Sequence, residues 1–150
     1  MILDQQVVIP VPADRAWEFL MDIPAVSRCV PGVESIEQVD DDTYNGALKV
    51  KVGPIGVTLK GTVTVAERDR AAYRSRMTVQ ASDKRLNSAV SAQAVMTLVP
   101  RSETETEMRI HTESSILGKL GEFGQAVMRK KADQIIAEFA RNMARELGGG

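Results

Sequence analysis

Few residues in this chain have the chemistry for catalysis. His111 is the single histidine and Cys29 the single cysteine. Around His111 apolar and polar residues alternate, which puts it on the face opposite Met108, Ile110 and Thr112, away from the interior. That placement fits a surface histidine better than a general base. Cys29 has no activating partner beside it in sequence, so it reads as a buried thiol rather than a nucleophile. A lone cysteine excludes an internal disulfide and any cysteine-built metal site. No glycine-rich phosphate loop follows a strand, and no His/Asp/Glu cluster has metal spacing. The run Asp40-Asp41-Asp42 is a solvated turn, since a calcium loop needs more ligands at regular offsets. The polar groups that point inward are Thr112, Ser114 and Ser91. They can orient a carbonyl or hydroxyl but are poor acid–base catalysts. The residues therefore favour binding over turnover. No catalytic residue, no metal ligand and no covalently bound cofactor is expected.

The elements that position these groups follow from periodicity. Residues 3–9 alternate as a strand and stop at Pro10. Pro12 and Asp14 open a short helix that turns Ala16, Trp17, Leu20 and Met21 inward, and a second short helix covers Pro24 to Arg28. Pro31-Gly32 is a tight turn. Strands then follow at 33–39, 44–52 and from Ile55 onward, the last with Val57, Leu59, Val63 and Val65 on one face. Gly61 interrupts that inward row, which signals a bend, a bulge or close approach by another group. Further strands are expected at 73–81, 90–99 and 106–116, with a polar loop at 81–88. The phase of the 90–99 strand is open, because Val95 and Val99 oppose Ala94, Met96 and Leu98.

The stretch from Gly118 to Leu147 reads as one long amphipathic helix. Leu120, Phe123, Val127, Ile135, Phe139, Met143 and Leu147 recur mainly at steps of three or four, with charged residues on the other side. Its apolar stripe needs a sheet to lie on. The expected class is α+β: a helix grip, with a curved antiparallel sheet around a long C-terminal helix and two short helices after the first strand. One domain spans 1–147, and 148–150 is a frayed end or a truncated tail.

Two interiors fit this composition. Aromatic residues are 4% of the chain and methionines number seven, so the core is soft. Small positions at Gly46, Gly61, Ala92 and Ala94, with Met77, Met96, Met108 and Met128, leave room for an apolar cavity. An ordinary Met-rich core is the other reading. Charge is nearly balanced at a formal -1, which gives no support for nucleic-acid binding. No apolar run reaches the ~20 residues of a membrane span, and a cytoplasmic protein is expected. The cluster Arg129-Lys130-Lys131 is a solvated helix face, or a docking patch for anionic lipid or an acidic partner.

Several segments together resemble the carbon monoxide dehydrogenase G-subunit family, within the START-like (SRPBCC) helix-grip superfamily. They are Val11-Pro12-Ala13-Asp14 leading to Trp17 and Leu20, Cys29-Val30-Pro31-Gly32-Val33, Thr43-Tyr44, Val50-Lys51-Val52-Gly53-Pro54-Ile55, Gly61, and Gly118-Lys119-Leu120-Gly121-Glu122-Phe123-Gly124. The resemblance implies seven strands, a START-like ligand-binding domain and an apolar pocket between sheet and helix. It also implies association with a molybdenum hydroxylase of the carbon monoxide dehydrogenase type. The family roles it brings are recruiting that enzyme to the inner face of the cell membrane and carrying an isoprenoid quinone for its electrons. Members can carry a C-terminal tail suited to membrane binding. The loop 81–87 departs from the family pattern in having no glycine.

The expected function is a non-enzymatic carrier of a lipid-like molecule, with entry near the glycines at the helix start. Its expected lining is Val57, Leu59, Met77, Ala92, Ala94, Met96, Ile110, Leu120, Phe123, Gly124, Val127 and Met128, with Thr112 as a polar contact. The alternatives are an assembly or adaptor factor acting through its surface, and a small START-like cyclase or hydrolase. The last requires an inward His or carboxylate.

Overall fold

The computed structural model describes residues 1–148; positions 149 and 150 of the expected frayed end or tail lie outside the described residues. The order is β1 (Ile2–Ile9), α1 (Ala13–Leu20), α2 (Ile23–Ser27), β2 (Val33–Gln38), β3 (Thr43–Val52), β4 (Ile55–Asp69), β5 (Arg74–Asp83), β6 (Ser88–Pro100), β7 (Thr106–Leu117), a 3-10 turn (Lys119–Phe123) and α3 (Gln125–Leu147). All seven strands join one antiparallel sheet in the order β1-β7-β6-β5-β4-β3-β2, so the first strand pairs with the last. This is the α+β helix grip that strand alternation and the closing amphipathic segment require.

Register resolves the strand whose phase was open. Ala94 sits between Met77 and Thr112, Met96 beside Ile110, and Leu98 beside Met108. Leu98 and Met108 are buried, so Val95 and Val99 face outward. Ser91 also turns outward, where its hydroxyl accepts from Gln80 Nε2 at 2.9 Å, contrary to its expected inward placement. The polar loop is shorter than expected, because β5 runs on to Asp83 and β6 starts at Ser88. Both residues are buried and hydrogen-bonded, which holds the strands in line beyond their apolar alternation.

The closing segment is not one helix. Gly118 and Gly124 adopt φ of +82° and +84°, in the left-handed region where glycine is at home. Gly124 separates the 3-10 turn from α3, which is then about 34 Å long at ~1.5 Å per residue. Apolar spacing carries across the break, so periodicity alone cannot reveal it.

The largest core cluster lies beneath α1 and the C-terminal half of α3. Ile9, Val11, Ala16, Trp17, Leu20, Leu98, Met108, Phe139 and Met143 meet there. The ring of Tyr73 stands 6.2 Å from that of Trp17, and its hydroxyl donates to Asp14 Oδ1 at 2.5 Å. Asn142 Nδ2 donates to the Cys29 carbonyl at 2.9 Å and ties the end of α3 to the segment after α2.

Gly61 lies between Gly46 on β3 and Ala81 on β5. A Cβ added there would stand 1.9 Å from the Gln80 carbonyl oxygen and 2.5 Å from the Ala81 Cα. At Gly46 an added Cβ would press on the Ser35 carbonyl at 3.1 Å and Ile36 Cδ1 at 3.2 Å. The strands approach closely because these side chains are missing. Gly61→Ala is therefore expected to lower unfolding free energy by about 3 kcal/mol or more, the upper range for overpacking against unyielding neighbours. Urea unfolding followed by circular dichroism measures it, and a neutral result would refute the close-approach account.

Candidate functional site

Sheet and helices do not fill the space between them. Tyr44 and Val65 are buried at one end of β3 and β4, packed with Ile23. Val52 and Val57 are buried at the other end, packed with Leu120. Between these ends Gly46, Leu48, Leu59, Gly61 and Val63 all remain half-buried, as do Met77, Val79 and Ala81 on β5 and Val90 on β6. The buried clusters thus surround a stretch of apolar sheet that nothing covers tightly.

That stretch is the floor of a cavity of about 330 Å³. Its roof comes from Ile23, Val26 and Ser27 of α2 and from Val30, and its side wall from Val33, Ser35 and Ile36 at β2. The volume lies near the lower end for small-molecule sites. The lining includes no histidine, acid or base; its polar side chains are Ser27, Ser35 and Thr62. Ser27 Oγ donates to the Pro24 carbonyl at 2.7 Å, and Thr62 Oγ1 donates to Asn45 Oδ1 at 2.9 Å on the outer face.

Of the residues expected to line a pocket, the structure brings Leu59 and Met77 to the cavity. Val57 is fully buried in a plug with Leu120, against which Phe123 and Met128 pack. Met96 and Ile110 pack against the large core cluster. Ala92, Ala94 and Thr112 stand half-buried on the inner face of β6 and β7, outside the cavity. Val127 is exposed. Gly124 faces open space, and a Cβ there would touch nothing within 4 Å. Its glycine serves the backbone turn, so a larger residue at 124 would strain φ rather than block a pocket. The cavity is roofed by α2 and lies away from the start of α3, where the wall was expected.

The reason is where α3 is attached. Leu120 fills the space beside Val57, so the 3-10 turn closes the end that was expected to open. Sequence reasoning passed over Ile23, Val26 and Val30, although their steps of three and four mark an apolar stripe that needs something beneath it. His111 is on the outer face as expected, with Nδ1 2.6 Å from Asp4 Oδ1, and that hydrogen bond raises its pKa. Arg129 and Lys130 are exposed on α3, and Lys131 is half-buried.

The sequence model of the CoxG family, the G-subunit family of carbon monoxide dehydrogenase, matches residues 6–148. The chain belongs to that family. Solved structures similar to this CoxG family member share its fold at low identity. A conserved protein from Geobacillus kaustophilus is 19% identical with a TM-score of 0.90, over 99% of this chain and 96% of that one. A START superfamily protein from Mycobacterium smegmatis is 8% identical with a TM-score of 0.72, over 99% and 97%. A norcoclaurine synthase mutant from Thalictrum, solved with a transition-state analogue, is 12% identical with a TM-score of 0.69, over 97% and 94%. No curated protein matches the sequence. In the described residues no helix is long and apolar enough to cross a membrane.

The loop beside the plug is held rigidly in this CoxG family member. β4 and β5 part after Lys60 and Ser82, and there the Asp83 carboxylate takes over from the backbone ladder. It accepts from the Thr58 N–H at 2.9 Å and the Leu86 N–H at 3.2 Å. Arg85 Nη2 donates to the Gly56 carbonyl at 2.5 Å. Ser88 Oγ accepts from the Leu120 N–H at 2.9 Å and donates to the Leu86 carbonyl at 3.1 Å, linking the loop to the 3-10 turn. A loop without glycine suits this fixed arrangement.

The Thr58 N–H, then burial in opposition, then the Leu86 N–H and Arg85, leave the Asp83 pKa below the usual carboxylate value. Its stabilising contribution is complete above the unfolded pKa of about 4. That contribution is lost as pH falls through the lower folded value. Asp83→Asn is expected to lower the melting temperature near pH 7, with a deficit that shrinks toward about pH 3. Parallel thermal melts measure the difference; an equal deficit at both pH values would refute a role for the charge.

Proposed function

We propose that this protein is a non-enzymatic carrier whose apolar hollow takes a lipid-like molecule, most simply an isoprenoid quinone. In this reading it serves a molybdenum hydroxylase of the carbon monoxide dehydrogenase type, delivering that enzyme's electron acceptor or recruiting it to a membrane surface. The observation that carries the proposal is the cavity of about 330 Å³ over the small inner-face residues of β3 to β5. Water in an apolar hollow of this size is readily displaced by an apolar guest.

A lining without histidine or carboxylate favours binding over turnover. A START-like cyclase or hydrolase would need an acid–base group within reach of its substrate, and the only histidine lies on the outer face. The family name is the support for that partner enzyme, and the helix-grip fold shared with START-like proteins supports a ligand role. Exposed Arg129 and Lys130 suit contact with an anionic membrane surface.

The decisive variant fills the hollow. Val79 lines the hollow on β5, in register with Val63 and Ala92, and is only half-buried. Val79→Phe is expected to remove an apolar ligand that the unsubstituted protein retains from membrane-containing lysate, with the melting temperature changed by only a few degrees. Native mass spectrometry reads the bound mass. An unsubstituted protein that carries nothing and is not shifted by added quinone would overturn the carrier reading. Partner co-purification that survives Val79→Phe would favour the adaptor alternative.

A further inference from the structure

Resting on the carrier reading, we propose that the hollow holds the hydrocarbon chain of the ligand and leaves its polar ring at the opening. The hollow offers few free hydrogen-bond donors. The floor belongs to β3, β4, β5 and β6, each paired on both sides, so their N–H groups along this stretch are taken by the ladder. The Ser27 and Thr62 hydroxyl protons already have acceptors, on Pro24 and Asn45. Among the described residues Ser35 is the one lining hydroxyl with no acceptor, and it stands exposed on the edge strand β2, beside the floor rather than on it. No lining side chain carries an N–H group or an aromatic ring.

A quinone ring presents two carbonyl acceptors that are hydrogen-bonded in water. Buried over the floor of paired strands, they would lose those bonds without replacement, which is a direct loss of affinity. A prenyl or alkyl chain has no polar atom to leave unpaired, and its transfer from water is favourable for every methylene buried. Shape agrees with chemistry. Gly46, Gly61 and Ala81 stand side by side across three strands, and Leu48 and Leu59 flank them on one side while Val63 and Val79 flank them on the other. The result is a narrow trough crossing the strands under Val26 and Val30. A chain fits such a trough along its length. The volume is too small for a ring together with a long tail, so the remainder must lie outside.

Displacement of a fluorescent apolar probe, N-phenylnaphthylamine, from delipidated protein tests the orientation. The competitors are a tail-less methylated benzoquinone, the same ring bearing a decyl chain, and farnesene, an isoprenoid hydrocarbon with no polar atom. The decyl quinone and farnesene are expected to displace the probe within about tenfold of each other, and the ring alone at least a hundredfold more weakly. Val79→Phe is expected to weaken the first two by at least about tenfold. A ring that competes as well as the decyl quinone while farnesene fails would place the ring inside and overturn the proposal. Displacement unchanged by Val79→Phe would place the chain elsewhere and overturn it equally. If neither the probe nor any competitor binds, the carrier reading falls first and this one with it.

Discussion

The C-terminal segment is fastened at two places, and the hollow depends on that. Leu120 is held by the Ser88 hydroxyl and packs on Val52 and Val57. Phe139 and Met143 are buried with α1, while Asn142 bonds the Cys29 carbonyl. These fixings fill the two ends of the inner face. The middle, from Gly46 to Ala81, is left to the five residues of α2 and the chain that follows them. So short an element cannot cover that area, and the strands beneath bring little side-chain volume of their own. Close packing elsewhere is what makes the gap persist, because the surrounding elements cannot collapse into it without breaking their own contacts.

Polarity is kept apart from this gap. Besides Ser75 at the start of β5, the buried polar residues are Asp83, Ser88, Thr106 and Glu107, all near strand ends. Each is paired: Thr106 Oγ1 donates to the Val11 carbonyl at 2.8 Å, and Glu107 accepts from Arg101 and Arg109. Among the described residues no buried side-chain polar atom lacks a partner. The cavity lining is mostly apolar, with Ser27, Ser35 and Thr62 as its polar side chains and no histidine, carboxylate, lysine or arginine. The neighbours in fold include a synthase, so the helix grip itself does not decide between binding and turnover.

Much of the architecture was legible in the chain. Inward alternation through Val57, Leu59, Val63 and Val65, the turn at Pro31-Gly32, and the amphipathic closing segment were enough for a helix grip, because each is a local pattern with a local cause. The outward direction of His111 followed from the same two-residue period. Gly61 signalled a bend, a bulge or a close approach, and the structure shows the last, with β5 close beside it.

The location of the cavity was not legible, because it is defined by what fails to pack. Val57 and Leu120 carry the same inward signal as Leu59 and Met77, yet the first pair plugs one end while the second faces the void. What separates them is where the 3-10 turn packs after β7, with Leu120 against Val57, and the chain turns there at Gly118 and Gly124, where periodicity sees an unbroken helix. Sequence by itself determined the faces, the succession of elements along the chain and the scarcity of catalytic groups. Tertiary structure alone decided which part of the inner face is covered, since that depends on distances between elements far apart in the chain.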